Sequence, residues 1–188
     1  QILKNYFKIK ILFPSRMLWD KGVKEVYEAA LELKKEYYTK IEFILAGLAD
    51  ENNKAGVPQD ILESWQDGTY LQWIGYCQNM KKVYEDCHIV ILPSYREGMP
   101  KSLIEAAAMG RALITTDAIG CKECVDEGVN GLKVPVGDAH ALALAIRKLV
   151  DNPEMLTSMG KASRMKAEKE FDIVQVVNKH LEIYNQYL

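Results

Sequence analysis

Six short runs of apolar and β-branched residues recur along the chain, mostly separated by segments of helical period, and this alternation restricts the fold more than any other feature. The runs lie near residues 9–13, 41–46, 71–74, 88–92, 112–115 and 131–134. Most carry too few polar residues to have a solvent-facing side, so a sheet built from them must be covered on both faces. Strands alternating with helices that can cover them predict a doubly wound, Rossmann-like α/β fold with a parallel sheet of about six strands. At 188 residues the chain is long enough for one well-buried domain and short for two.

The helices announce their starts. Asp20 precedes a helical pattern over 21–36, Asn79 one over 80–85, Asp138 one over 139–150, and Asn152, followed by Pro153, one over 153–170. Beyond residue 150 no strand is expected, only the segment 153–170 and a last helix from Asp172 to about residue 187, so the sheet occupies 1–150 and helices 151–188. Apolar positions of the last helix, such as Ile173, Val177 and Tyr184, are expected to be partly exposed. The one long irregular stretch, 47–57, follows the second strand, at the edge where parallel sheets bind ligands.

Hydrophobic residues at 48% and charged residues at 27% exclude a disordered or fibrous chain. A formal net charge of −2 provides no general basic field, so nucleic acid is not an expected partner and any anion site must be focal. No apolar run approaches the ~18 to 20 residues of a membrane-spanning helix and the first residues do not read as a secretory signal. A cytoplasmic location is expected, peripheral at the inner face of the membrane for a longer enzyme. Cys77, Cys87, Cys121 and Cys124 read as reduced thiols; the Cys121-x-x-Cys124 pair lacks the second close pair of a zinc ribbon and is taken as structural.

Two segments carry chemistry. The first, Ser15-Arg16-Met17-Leu18-Trp19-Asp20-Lys21-Gly22, joins the first strand to its helix. Arg16 as a bidentate fork and Lys21 as a point charge can meet one phosphate there, although two solvated surface charges would read the same way. The second runs from Pro93 to Glu105 after the fourth strand and contains Glu97, Gly98, Met99, Pro100, Lys101, Ser102 and Leu103. A glycine-containing loop entering a helix presents unpaired amides to an anion, and a diphosphate is its natural ligand. Glu97 and Glu105 on either side can accept hydrogen bonds from sugar hydroxyls. Ser102-x-x-Glu105 is also a capping box, and spacing alone favours that reading of Glu105.

Other phosphate and metal patterns are missing. There is no Gly-x-Gly-x-x-Gly after the first strand, no Gly-Lys-Ser/Thr loop and no Asp-x-Asp pair. No metal or other cofactor is therefore expected, and Arg, Lys and a helix dipole would have to offset the diphosphate charge. His88, His140 and His180 are scattered and suggest no catalytic triad.

These segments together resemble the C-terminal domain of retaining glycosyltransferase family 4, which has a GT-B fold. Arg16-x-x-x-x-Lys21-Gly22 is similar to that family's Arg/Lys pair, Glu97-Gly98 through Glu105-Ala106 to its Glu-x7-Glu motif, and Gly128-Val129-Asn130-Gly131-Leu132 to the turn that follows. The likeness runs from about Lys10 to Val150 and is nearest to bacterial enzymes of capsular, O-antigen and lipid-linked glycan assembly. It implies that Arg16 and Lys21 bind the donor diphosphate, Glu97 the donor sugar and Glu105 the ribose. By the same likeness the backbone from Gly98 to Leu103 meets the phosphates, and Gly75-Tyr76-Cys77 lies by the base. Ala46-Gly47-Leu48-Ala49-Asp50 departs from the more glycine-rich turn of many members. The implied substrate is a nucleotide diphosphate sugar, a UDP-sugar ahead of a GDP-sugar. The implied partners are a glycan or lipid-linked acceptor and an N-terminal acceptor domain that this chain does not contain. A non-catalytic nucleotide-sugar module and another enzyme of the fold, such as a 2-epimerase, are the rival readings.

Overall fold

A computed structural model describes residues 8–187. Its strands are β1 (Ile9–Pro14), β2 (Ile41–Ala46), β3 (Leu71–Trp73), β4 (Ile89–Leu92), β5 (Ala112–Thr116) and β6 (Gly131–Val134). Every residue of β4 and β5 is buried; β4 is apolar throughout, and the two threonines that end β5 donate their hydroxyls to Leu92 O and Ser94 O. All neighbouring strands pair in parallel, in the order β3-β2-β1-β4-β5-β6. The expected doubly wound sheet is present. Connections leave β1 toward one edge and β4 toward the other, so the order reverses between these two strands and opens a crevice beyond their C-terminal ends.

Right-handed crossovers place the helices on opposite faces according to the direction of travel. One face carries α1 (Val23–Tyr37), α2 (Gln59–Trp65) and α5 (Ala139–Val150). There α1 packs beside α5, and Tyr27 stacks on Trp65 with ring centroids 4.3 Å apart. The other face carries α3 (Met80–Asp86), α4 (Lys101–Ala108) and α6 (Pro153–Glu170), with α6 against both α4 and β5. The last helix, α7 (Ile173–Tyr184), is capped by Asp172, which accepts from Val174 N at 2.8 Å, and buries none of its residues. Ile173, Val177 and Tyr184 are 70%, 47% and 63% exposed, as their place in the sequence suggested.

Asn79 and Asp138 cap α3 and α5 as expected, accepting from Lys82 N and Ala141 N. Three expectations need correction. Asp20 caps nothing: it lies in a 3-10 turn, Trp19–Lys21, and α1 begins only at Val23 after a left-handed Gly22 with φ 79°. Asn152 occupies the cap position of α6, but its side chain turns back and donates to Lys148 O at 2.6 Å. The helix α2 was not anticipated. It has seven residues, no side-chain cap and a single buried position, Leu62, so neither periodicity nor a cap announces it.

Candidate functional site

Both segments singled out in the sequence emerge at the crevice between β1 and β4. Glycine lets them approach. At Gly22 a Cβ would stand 2.1 Å from Pro93 O, a distance no side chain tolerates, so the turn after β1 can rest on the end of β4 only with glycine there. The contact is completed by Tyr95 N donating to Asp20 O at 2.9 Å and by Ser94 Oγ donating to the same carbonyl at 3.2 Å. Asp20 thus contributes its backbone and not the predicted cap.

This contact brings Lys21 to Glu97. Their Nζ and Oε1 lie 2.8 Å apart, with only 18% and 16% of the two side chains exposed. Lys21 therefore belongs to the 3-10 turn and not to the first turn of α1 as expected. The backbone of Glu97 is held from its other side by the loop after β5: Glu97 N donates to Ile119 O at 3.2 Å. A Cβ on Gly120, with φ 84°, would lie 2.2 Å from Glu97 O.

From Glu97 the chain passes through exposed Gly98 and Met99 and buried Pro100 into α4, where Lys101 is exposed, Ser102 half-buried and Leu103 buried in the core. Pro100 holds the cap position with no side-chain cap bond. The capping-box reading of Ser102 and Glu105 is overturned. Ser102 is the second helical residue, Glu105 lies beyond the reach of the cap, and a proline cap has no N–H to offer. Glu105 instead meets Tyr84, whose hydroxyl lies 3.3 Å from Glu105 Oε2 and 3.2 Å from Ser102 O, sharing its one proton. Burial, followed by the Glu105 charge, raises the Tyr84 hydroxyl pKa, so the phenol stays a neutral donor. Lys101 Nζ approaches Glu105 Oε1 at 3.5 Å.

Arg16 takes a separate partner, Asp50, with Nη1 and Oδ2 3.1 Å apart. The irregular 47–57 loop that carries Asp50 is bound to the first segment by Met17 N to Leu48 O, Trp19 N to Ala55 O and Val57 N to Met17 O. Nothing in the sequence marked Asp50 or Tyr84 as partners, because both contacts join segments distant in the chain. Beside Glu105 a cavity of about 200 Å³ is lined by Ser15, Gly47, Tyr76, Cys77, Tyr84 and Ser102 among others. Gly75 does not line it, but its carbonyl accepts from Gly47 N at 2.8 Å.

The arrangement places two cations, a glycine loop and an uncapped helix N-terminus along one crevice, with carboxylates at Glu97 and Glu105. It suits a diphosphate flanked by two hydroxyl-bearing groups. Cys121 and Cys124 are buried residues of the β5–β6 connection, and burial raises the Cys124 thiol to about 12. Such thiols pack and do not ionise readily. Among the described residues no three His, Cys, Asp or Glu side chains gather as a metal site, and no helix is long and apolar enough to cross a membrane.

A six-stranded parallel sheet in this order, with helices on both faces, has the Rossmann-like architecture of one half of a GT-B glycosyltransferase fold. Residues 1–166 match the family described as Glycosyl transferases group 1, and the chain belongs to that family. It is 31% identical over 178 residues to N,N'-diacetylbacillosaminyl-diphospho-undecaprenol alpha-1,3-N-acetylgalactosaminyltransferase of Campylobacter jejuni, a match covering 95% of this chain and 45% of that protein. In fold it is similar to sucrose-phosphate synthase from Thermosynechococcus elongatus (TM-score 0.84, 22% identity, 96% of this chain and 45% of that one). It is also similar to Anabaena Alr3699/HepE in complex with UDP (TM-score 0.85, 20% identity, 95% of this chain and 49% of that one). The chain spans about half the length of the proteins it matches.

Proposed function

We propose that this chain is the donor-binding half of a retaining glycosyltransferase of family 4, moving a sugar from a nucleotide diphosphate to a glycan or lipid-linked acceptor. The observation that carries the reading is the Lys21–Glu97 pair at the switch point, beside the open N-terminus of α4. In the proposed complex Lys21 and Arg16 hold the diphosphate, with backbone amides of the Gly98–Leu103 segment other than Pro100, which has no N–H, and Leu103, whose N–H donates to Pro100 O. Glu97 then exchanges its ammonium partner for donor-sugar hydroxyls. Glu105 receives the ribose, with Tyr84 holding its carboxylate, and Gly75, Tyr76 and Cys77 lie by the base. As the diphosphate leaves, charge grows on its oxygens, and cations and amides already in place oppose it without reorganising. The Campylobacter relative, by its name, acts on an undecaprenol-linked acceptor, and the Anabaena structure holds UDP. The Anabaena complex favours a UDP-sugar and the Campylobacter name a lipid-linked acceptor; in the proposed reading the enzyme works in the cytoplasm at the membrane face.

Calorimetry with UDP- and GDP-sugars tests the reading. A UDP-sugar is expected to bind, and EDTA to leave its affinity unchanged, because the compensating charges are side chains. A strict need for magnesium or manganese would count against the site chemistry. The isolated chain is expected to transfer no sugar: the acceptor hydroxyl must be held about 3 to 3.5 Å from the anomeric carbon, a task for a facing domain. Acceptor glycosylation by this chain alone, seen by mass spectrometry, would overturn the half-enzyme reading. At Glu105, Gln substitution is expected to erase a preference for UDP over 2′-deoxy-UDP of about tenfold, since a lost charged hydrogen bond is worth about 1.5 to 3 kcal/mol. An unchanged preference would remove Glu105 from the ribose site.

A further inference from the structure

The opposite edge of the sheet carries a second concentration of positive charge that the proposed reaction does not use. Arg111 immediately precedes β5 and His88 immediately precedes β4, so both lie at the N-terminal ends of strands whose C-terminal ends face the crevice. With about 3.3 Å per residue, the strand length separates the two regions by on the order of 15 Å. Here α6 crosses the strand ends at the Gly110–Gly160 contact, where a Cβ on Gly160 would lie 2.5 Å from Gly110 O. Beside that contact opens a cavity of about 470 Å³, lined by His88, Arg111, Lys161 and Arg164, with Met109 and Leu156 as apolar wall.

The cations are held ready. Arg111 is pinned by Nε to Met109 O and Nη1 to Cys87 O, both 2.7 Å, which uses two of its five N–H donors. Arg164 is fixed by Nη1 to Ala108 O at 2.5 Å and by Nε to Glu168 at 2.7 Å. Among the described residues Glu168 is the one carboxylate bonded to these cations, and none lines the cavity itself. His88 is no cation: burial, followed by the Arg111 charge, lowers its pKa, and its Nδ1 accepts from Lys10 N at 3.0 Å, which fixes a neutral ring against β1. The result is a concave, part-apolar site with excess positive charge, in the size range of small-ligand pockets. Guanidinium forks beside a mobile ammonium match phosphate oxygens.

We propose that this cavity is a second anion site that binds a phosphate monoester or diphosphate independently of the switch-point crevice. The phosphate can belong to a soluble metabolite or to a lipid headgroup, and the test separates these sources. Pyrophosphate is titrated calorimetrically into Lys21→Ala, which disables the proposed donor site, and into Lys21→Ala/Lys161→Glu. The first is expected to retain one binding event and the second to weaken it at least tenfold with an unchanged melting temperature. Arg111→Lys, which keeps the charge but loses the fork, should weaken it less. Sedimentation with phosphatidylcholine vesicles containing phosphatidic acid, against phosphatidylcholine alone, assigns a lipid source if Lys161→Glu abolishes co-sedimentation. Binding in the Lys21→Ala protein to neither probe, or binding that Lys161→Glu leaves untouched, overturns the proposal. Because the crevice is disabled in both proteins, failure here leaves the donor-site reading standing.

Discussion

Gly22→Ala is expected to destabilise the protein by about 2 to 5 kcal/mol and to lower donor affinity in whatever fraction still folds. Two effects combine at this residue. Its φ of 79° costs an L-residue about 1 to 2 kcal/mol. The new Cβ, placed 2.1 Å from Pro93 O, must push apart the β1 and β4 loops, an overpacking that costs about 1 to 3 kcal/mol more. Relief by displacement would lengthen the Tyr95 N to Asp20 O bond and draw Lys21 away from Glu97. Denaturant melts of wild type and variant measure the first effect, and UDP titration the second. Gly68→Ala is the control, since its φ is 74° but its Cβ would meet nothing within 4 Å, so only the backbone penalty remains. Equal losses at the two glycines would show that loop contact contributes nothing.

Lys21→Ala is expected to weaken UDP binding by more than the tenfold that a single lost charge-assisted contact of about 1.5 to 3 kcal/mol implies. The Lys21 ammonium does two things in the proposed site: it attracts phosphate and it neutralises a Glu97 side chain that is only 16% exposed. Without it, an unpaired carboxylate faces the diphosphate. At an effective dielectric of ~20, two unit charges about 4 Å apart repel by about 4 kcal/mol, so repulsion rivals the lost contact. Glu97→Gln in the Lys21→Ala background should therefore recover a large part of the affinity for UDP, though not for the sugar donor. If the double variant binds UDP no better than Lys21→Ala, Glu97 does not face the diphosphate.

Much of the candidate site was legible as residues and little of it as partnerships. Arg16, Lys21, Glu97 and Glu105 stand out because cations and carboxylates cluster beside strand ends and a glycine loop. Their pairing was not legible, since Lys21 meets Glu97 across 76 positions and Arg16 meets Asp50 across 34. The capping-box reading of Glu105 failed for a related reason: spacing alone cannot say which residue begins the helix. Pro100 takes the cap position and Tyr84, from α3, takes the carboxylate.

The sequence by itself determined the six strands and most of the helices, because a strand covered on both faces must be mostly apolar and a capped helix carries its signal locally. Caps failed at Asp20, where a 3-10 turn delays α1 to Val23, and at Asn152, whose side chain donates to Lys148 O. Only the tertiary structure decided the strand order, and with it the crevice between β1 and β4. Hydrophobic burial is non-directional and leaves no mark in a strand of which neighbour it will take. Helix crossovers, loop lengths and the glycine contacts at Pro93 and Glu97 make that choice, and they bring Lys21 to Glu97.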